Sequence, residues 1–190
     1  MRAIPVLSLF LLTALPAAAA RADRQMDPEL RGVIAAAISP ADCFEDKYEQ
    51  AVWLAYMEPR LGRYIKDAVE REQILHHVHC EAKRAELPPE LVLAVMDVES
   101  RFNRYAVSSA GAVGLMQVMP FWPKELGMTN SQLVRVSDNI RMGTTILSYY
   151  LRKERGNYQR ALQRYNGSLG RPNYSDLVID RLVSRWRYAY

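Results

Sequence analysis

The chain has 190 residues, 49% of them hydrophobic and 24% charged, and a formal net charge of +4. This length is enough for one compact domain with its own core, and the absence of internal repeats and low-complexity linkers excludes a repeat array or a linker protein. The modest positive charge suits an anionic polymer, which could be a cell-wall glycan or a nucleic acid.

Residues 1–20 have the composition of a secretory signal peptide. A basic Arg2 precedes an apolar run, and small residues follow it. The run is shorter than the ~20 residues that a spanning helix needs, which disfavours the alternative of a membrane anchor. We expect cleavage near Ala20, no stable membrane anchor, and a mature protein that is periplasmic or secreted. Export in turn argues against nucleic acid as a partner.

Residues 21–86 are predicted to form an N-terminal helical region packed on the rest of the chain. A first helix should be capped by Asp27, begin at Pro28 and end at Ser39-Pro40. A second helix should end near Glu58-Pro59, and its predicted buried stripe consists of Phe44, Tyr48, Ala51, Val52 and Ala55.

A third helix is predicted from Ile65 to Glu86. Its apolar line comprises Ile65, Ala68, Val69, Ile74, Leu75, Val78 and Ala82, and alternating charges mark the solvated face.

Cys43 and Cys80 are the only cysteines. In an oxidising compartment two thiols usually pair, so we predict a disulfide between the second and third helices. The alternative is a metal site, because His76, His79 and Cys80 share one side of a helix. We expect no metal, since further ligands would have to come from elsewhere in the chain.

The next predicted helix, from Pro89 to Arg101, carries Glu99. Its inward face is formed by Leu91, Val92, Val95 and Met96, and Glu99 falls on the same side. Burial on an apolar stripe would raise the pKa of the Glu99 carboxyl, as a general acid requires. The alternative is a helix-end carboxylate that caps the helix or pairs with a nearby arginine. Asp97 lies off this line and is predicted to face solvent.

A loop with Ser108, Ser109, Gly111 and Gly114 follows Glu99 and faces it. After Pro120, Phe121-Trp122 opens a short helix that should end at Gly127. These two aromatic side chains could stack on sugar rings or could belong to the core, and the sequence leaves both interpretations open.

The remaining elements are also predicted to be helical, which makes the fold class all-α. Asp138-Asn139 should open a long helix in which Gly143 allows close approach of another helix, that of Glu99 being the natural candidate. A short helix leads to the turn at Asn166-Gly167. The last helix runs from Tyr174 to Trp186, and its predicted buried line is Leu177, Val178, Leu182 and Trp186.

Three ordered motifs give the chain a resemblance to a known family. Glu99-Ser-x-Phe, Ala106-Val-Ser and Gly111-Ala-x-Gly-Leu-Met-Gln-x-Met-Pro120 form the first, and Asn139-Ile-Arg-Met-Gly143 and Tyr165-Asn-Gly167 follow. This arrangement resembles the soluble lytic transglycosylase (SLT) family of peptidoglycan-cleaving enzymes, over about residues 87–170. The resemblance implies a lysozyme-like fold, with residues 87–190 as the catalytic domain.

The resemblance also assigns roles to individual residues. Glu99 aligns with the single catalytic carboxylate, which acts first as general acid and then as general base. Substrate-binding positions of the family fall on Ser108, Gln117, Met119, Tyr165 and Asn166. No cofactor is implied. Two departures, Arg104 in place of a frequent proline and Arg164 in place of a usual alanine, add positive charge that could favour the acidic stem peptide.

The predicted activity is cleavage of the β-1,4 bond between N-acetylmuramic acid and N-acetylglucosamine, leaving 1,6-anhydromuramyl ends. Two alternatives stay open: a hydrolytic muramidase and a non-catalytic wall-binding protein. The predicted partner is the peptidoglycan glycan strand. The biological setting could be general wall recycling or local wall opening for an envelope-spanning secretion or pilus machine.

Overall fold

A computed structural model describes residues 28–37, 47–125 and 129–188, and these residues are mostly helical. The helices are α1 (Pro28–Ala37), α2 (Lys47–Leu61), α3 (Ala68–Arg84), α4 (Pro89–Glu99), α5 (Phe121–Glu125), α6 (Val136–Lys153), α7 (Tyr158–Asn166) and α8 (Asn173–Arg181). A 3₁₀ turn (Asn130–Val134) precedes α6, and a π-helical turn (Leu182–Trp186) continues α8. Within the described ranges no strand forms beyond isolated bridges, which confirms the all-α prediction.

Helix α4 lies at the centre of the molecule. Pro88 is its N-cap residue and Pro89 its first residue, as expected for a residue type that suits only a first turn. Residues 91–97 are all buried, because α3, α8 and the π-helical turn pack around the helix. The helix ends at Glu99, whose carboxylate therefore emerges from the core at the start of the following loop.

The prediction for α2 was wrong about which face is buried. Tyr48 and Val52 are 86% and 59% exposed, whereas Trp53, Met57 and Leu61 are buried. The helix carries two apolar lines, and the larger side chains occupy the core, where they bury more area. Trp53 is further held by a 2.7 Å hydrogen bond that its Nε1 donates to Glu90 on α4. The helix also passes through Pro59 and ends at Leu61.

Helix α3 begins at Ala68, later than predicted, because the Asp67 side chain caps it through the amides of Val69 and Glu70. Ala68 and Val69 are consequently exposed on the first turn. The predicted line of Ile74, Leu75, Val78 and Ala82 is buried. Cys80 is buried as well. Its predicted partner Cys43 lies outside the described residues, as do the predicted leader at 1–20, Asp27, Phe44 and Gly127, so the disulfide stays a prediction.

Helix α6 begins at Val136, so Asp138 lies within its first turn and is not the N-cap residue. Another part of the chain does pack closely against Gly143, but it is not the helix of Glu99 that was predicted. A Cβ atom at Gly143 would come within 2.6 Å of the Met116 Cβ. The glycine therefore makes room for the loop between α4 and α5 (residues 100–120, the central loop) and not for α4.

None of the helices in the described ranges is both long and apolar enough to cross a bilayer.

Candidate active site

Glu99 lies in a cavity of about 300 Å³. Ser108, Gln117, Met119, Tyr165 and Asn166 also line it, so all the residues predicted for the site share one cavity with the carboxylate. Further lining side chains come from α6, namely Ile146 and Tyr150, neither of which was predicted as a site residue. The cavity is within the size range of small-molecule sites.

The loop that faces Glu99 is folded onto the end of α4. Ser100, the C-cap residue, donates a hydrogen bond of 2.8 Å to the Leu115 carbonyl. Val113 pairs in isolated bridges with both Val107 and Val118, which turns the loop back on itself. Gly114, with φ of 84°, sits at the tightest point, where a Cβ atom would lie 2.5 Å from the Leu133 carbonyl oxygen. A side chain at position 114 would therefore displace the loop.

Asn139 fixes this loop to α6. Its Oδ1 accepts a 2.8 Å hydrogen bond from the Met116 amide, and its Nδ2 donates to the carbonyls of Val113 (2.9 Å) and Leu133 (2.8 Å). The Asn139 side chain is buried, and so are Met116 and Leu133. The sequence had marked Asn139 as the opening of a helix and as the first residue of a family motif, but not as the residue whose amide satisfies three backbone groups of the loop and the preceding turn.

Tyr165 also binds the backbone of Met116. Its hydroxyl donates a 2.7 Å hydrogen bond to the Met116 carbonyl. Met116 is therefore bound at its amide by Asn139 and at its carbonyl by Tyr165. The next residue, Gln117, has a φ of 49°, and its side-chain amide donates to the carbonyls of Ala106 and Gly114. This geometry presents the Gln117 and Met119 side chains to the cavity from a rigid backbone.

Tyr174 is a site residue that the sequence analysis missed. Its hydroxyl donates a 2.6 Å hydrogen bond to Glu99 Oε1 from the first turn of α8. Burial raises the pKa of Tyr174 well above its usual value, and the neighbouring Glu99 carboxylate adds to the effect. Tyr174 is thus a neutral hydrogen-bond donor to Glu99 at physiological pH. A tyrosine at the start of a helix carries no sequence signal for this role.

Asp97 does not face solvent, contrary to the sequence prediction. It is 4% exposed and accepts hydrogen bonds from the Tyr64 hydroxyl (2.9 Å) and from Trp186 Nε1 (3.1 Å). Arg185 lies 3.5 Å from the same carboxylate. Helical spacing correctly placed Asp97 on a different face of the helix from Glu99. That face is not exposed, because Arg181, Arg185 and Trp186 cover it.

The two aromatic residues of α5 combine both of the interpretations left open by the sequence. Phe121 and Trp122 line the cavity with ring centroids 4.8 Å apart, and Trp122 is also part of the buried core.

The two arginines that depart from the family pattern both make contacts away from the cavity. Arg164 forms an ion pair with Glu154, which Arg160 also contacts. Arg104 donates a hydrogen bond to the Val134 carbonyl. Neither arginine lines the cavity.

Comparisons with known proteins give relatives whose names include the word transglycosylase. A membrane-bound lytic murein transglycosylase C of Actinobacillus pleuropneumoniae serotype 5b is 54% identical over 52 residues, covering 27% of this chain and 14% of that protein. The transglycosylase of Enterobacteria phage PRD1 is 38% identical over 88 residues, covering 46% of this chain and 32% of that protein. The matched segment therefore spans less than a third of the length of these relatives.

A solved structure is also similar. It is that of an inactive mutant of lytic transglycosylase Slt from Pseudomonas aeruginosa, with 30% identity over 56% of this chain and 20% of that chain and a TM-score of 0.47. The model of the transglycosylase SLT domain matches residues 77–175, which is more than half of the sequence. This segment contains Glu99, Tyr174 and every residue that the structure places around the cavity. The chain belongs to the transglycosylase SLT domain family.

Proposed function

We propose that this chain is an exported lytic transglycosylase that cleaves the β-1,4 bond between N-acetylmuramic acid and N-acetylglucosamine in peptidoglycan without using water. The observation that supports this best is the composition of the cavity wall. Among the described residues that line the cavity, Glu99 is the only carboxylate. Ordinary glycosidases place two carboxylates beside the bond, one as acid and one as nucleophile or base.

The nearest acidic residue on the same helix is not available for the second role. Asp97 is two residues before Glu99, which places it about 200° around α4 on the opposite face. It is occupied there by Tyr64, Trp186 and Arg185. The proposal therefore requires one carboxylate to perform both proton transfers.

In the first step, protonated Glu99 gives its proton to the leaving oxygen of the glycosidic bond. Because Tyr174 donates to Oε1, the proton that Glu99 transfers is carried by Oε2. The positive charge that develops on the muramyl ring would be stabilised by the oxygen of the substrate's own N-acetyl group, as in substrate-assisted enzymes. The C–O bond breaks with its electron pair staying on the leaving sugar, which receives the proton.

In the second step, the ionised Glu99 takes the proton of the muramyl 6-hydroxyl, whose oxygen then bonds to the anomeric carbon. This step restores protonated Glu99 and closes the 1,6-anhydro ring, with no water consumed. Tyr174 supports the ionised intermediate state, because a hydrogen bond to a carboxylate stabilises its charged form. We assign Ser108, Gln117, Met119 and Asn166 to sugar contacts. The Tyr165 hydroxyl donates its hydrogen bond to the Met116 carbonyl, so it can offer the sugar only an acceptor.

The product distinguishes this proposal from its alternatives. Purified sacculi would be digested and the soluble muropeptides weighed by mass spectrometry, with a Glu99→Gln protein as the control. Anhydromuramyl ends, lighter than reducing ends by one water molecule, are expected. Mainly reducing ends would show a hydrolytic muramidase, and intact sacculi would show a wall-binding protein. The predicted export and any association with an envelope-spanning machine are separate proposals, tested by cell fractionation and by co-purification from the envelope.

A further inference from the structure

The end of the chain forms one continuous rod that is held at both of its ends. Helix α8 passes into the π-helical turn without leaving helical backbone angles, since Arg181 and Leu182 both have right-handed helical values. Together these elements run for roughly 20 Å at the usual helical rise. Both pack against α4.

Tyr174, at the start of the rod, donates to Glu99 on the cleft side of α4. Trp186, at the other end, donates to Asp97 on the back of the same helix. Trp186 is fully buried, so this second contact is shielded from solvent. The rod therefore lies across α4 and touches one carboxylate of the helix on each side.

Asp97 gathers more groups than a buried ion pair requires. Tyr64 and Trp186 donate hydrogen bonds to it, and the guanidinium groups of Arg185 and Arg181 lie at 3.5 and 4.0 Å. Arg185 also donates a 2.6 Å hydrogen bond to the Tyr64 hydroxyl. Three of these four partners belong to the rod or to its final turn. A π-helical turn shifts the register of a helix, and such turns occur frequently at functional sites.

We propose that Asp97 is a positioning residue: it anchors the far end of the rod and thereby keeps the Tyr174 hydroxyl on Glu99. The physical reason is that a stiff helix fixed at one point can still pivot, whereas fixing the second point removes that freedom. Losing the anchor would let Tyr174 withdraw from Glu99 without removing any group from the cavity. The kinetic part of this inference rests on the proposed function, but the positional part does not.

The kinetic test is a double-mutant cycle between Asp97→Asn and Tyr174→Phe. Each single variant should lower kcat by roughly tenfold with KM nearly unchanged, as expected for loss of one hydrogen bond to a charged group. If Asp97 acts through Tyr174, the double variant should be no slower than Tyr174→Phe alone, within about twofold. Losses that multiply would overturn the proposal.

A matched control is available in a second buried ion cluster. Glu81 binds Arg84 and Arg141 between α3 and α6, and no residue of the rod takes part. A Glu81→Gln variant weakens another buried carboxylate in the same fold, so its effect on kcat should multiply with that of Tyr174→Phe. Equal non-additivity in both cycles would mean that general destabilisation, and not positioning, produces the Asp97 result.

A second readout does not need activity. The buried Tyr174 has a raised pKa, and withdrawal from its site would bring that pKa down toward the ordinary tyrosine value. The tyrosinate absorbance assigned to Tyr174, obtained by subtracting the Tyr174→Phe titration in the same background, should therefore begin at lower pH in Asp97→Asn. An unchanged Tyr174 titration would overturn the proposal even if the protein proved to lack transglycosylase activity.

Two milder variants keep the test decisive if Asp97→Asn does not fold. Arg185 is partly exposed, so Arg185→Gln removes its contacts with Asp97 and Tyr64 without opening the core. Trp186→Phe keeps a buried aromatic ring and removes the Nε1 donor together with part of the ring volume. Both should shift the Tyr174 titration in the same direction as Asp97→Asn and should be non-additive with Tyr174→Phe. Multiplicative effects in both would count against the rod as a positioning device.

Discussion

Glu99 is the residue on which the proposed chemistry depends, because no other carboxylate lines the described part of the cavity. Replacing it by glutamine keeps the size of the side chain and an acceptor for the Tyr174 hydroxyl, but removes the transferable proton. We expect Glu99→Gln to release muropeptides at a rate lower by at least ~10²–10⁴-fold while the folded state is retained. Circular dichroism and thermal unfolding would verify the fold, and substantial turnover by a folded variant would refute the assignment.

The raised pKa of Tyr174 predicts how the stability of the protein changes at high pH. Its pKa in the folded chain is raised, chiefly by burial and then by Glu99, so its contribution to stability is full below the unfolded value of about 10 and is lost as the pH rises through the folded value. The parent protein should lose free energy of unfolding in that alkaline range, and Tyr174→Phe should lose less. Urea unfolding at a series of pH values measures this difference. Identical profiles for the two proteins would contradict it.

Among the elements, the contact between α6 and the central loop is the most sensitive to a small change. Replacing a glycine inside a helix by alanine usually stabilises the folded protein by about 0.5–1 kcal/mol. At Gly143 the new methyl group would overlap the Met116 Cβ, which is close to the backbone and cannot swing away. Gly143→Ala should therefore destabilise the protein by roughly 1–3 kcal/mol, the usual range for overpacking, and disturb the adjacent Gln117.

The control for this substitution lies on α1. A methyl group at Gly32 would meet no atom within 4 Å, so Gly32→Ala should show the ordinary stabilising effect. Chemical denaturation of the two variants beside the parent protein compares them directly. Equal stabilisation of both would mean that Met116 moves aside at no cost, and that the loop is less tightly held than its hydrogen bonds to Asn139 and Tyr165 suggest.

The sequence predicted the contents of the cavity better than the elements that support it. Glu99, Ser108, Gln117 and Met119 were identified because they lie in short motifs whose spacing is local. Tyr174 reaches Glu99 across 75 residues of sequence, and no local pattern marks that approach. Such a contact depends on how helices pack, which residue spacing within one helix does not reveal.

Two wrong assignments share a physical cause. Asp97 was placed in solvent because helical periodicity was assumed to define one buried face, whereas α4 is covered on all sides. On α2 the wrong apolar line was predicted to be buried. The helix has two such lines, and the one with Trp53 and Met57 faces the core. Periodicity identifies a helix reliably, but the choice of buried face is made by its neighbours.

For the molecule as a whole, the predicted disulfide between Cys43 and Cys80 would tie the N-terminal region to α3. Closing a loop of this length should stabilise the folded state by about 3 to 4 kcal/mol in the chain-entropy model. We expect the exported protein to show no free thiols by mass analysis after alkylation without reductant, and its melting temperature to fall when reductant is added. Two alkylated cysteines in unreduced material would disprove the bond.

The rod across α4 also determines where this domain can be cut for expression. The segment that matches the family ends at residue 175, so a shortened chain with that boundary would keep Glu99 and Tyr174 but lose Arg181, Arg185 and Trp186. Asp97 would then lose three of its partners together with the cover that the rod provides, and loss of a fully buried tryptophan such as Trp186 by itself costs about 3–5 kcal/mol. That is a large part of the 5–15 kcal/mol that typically holds a domain together. A boundary drawn from family similarity alone should therefore yield insoluble protein, whereas one placed after Tyr188 should yield a soluble domain.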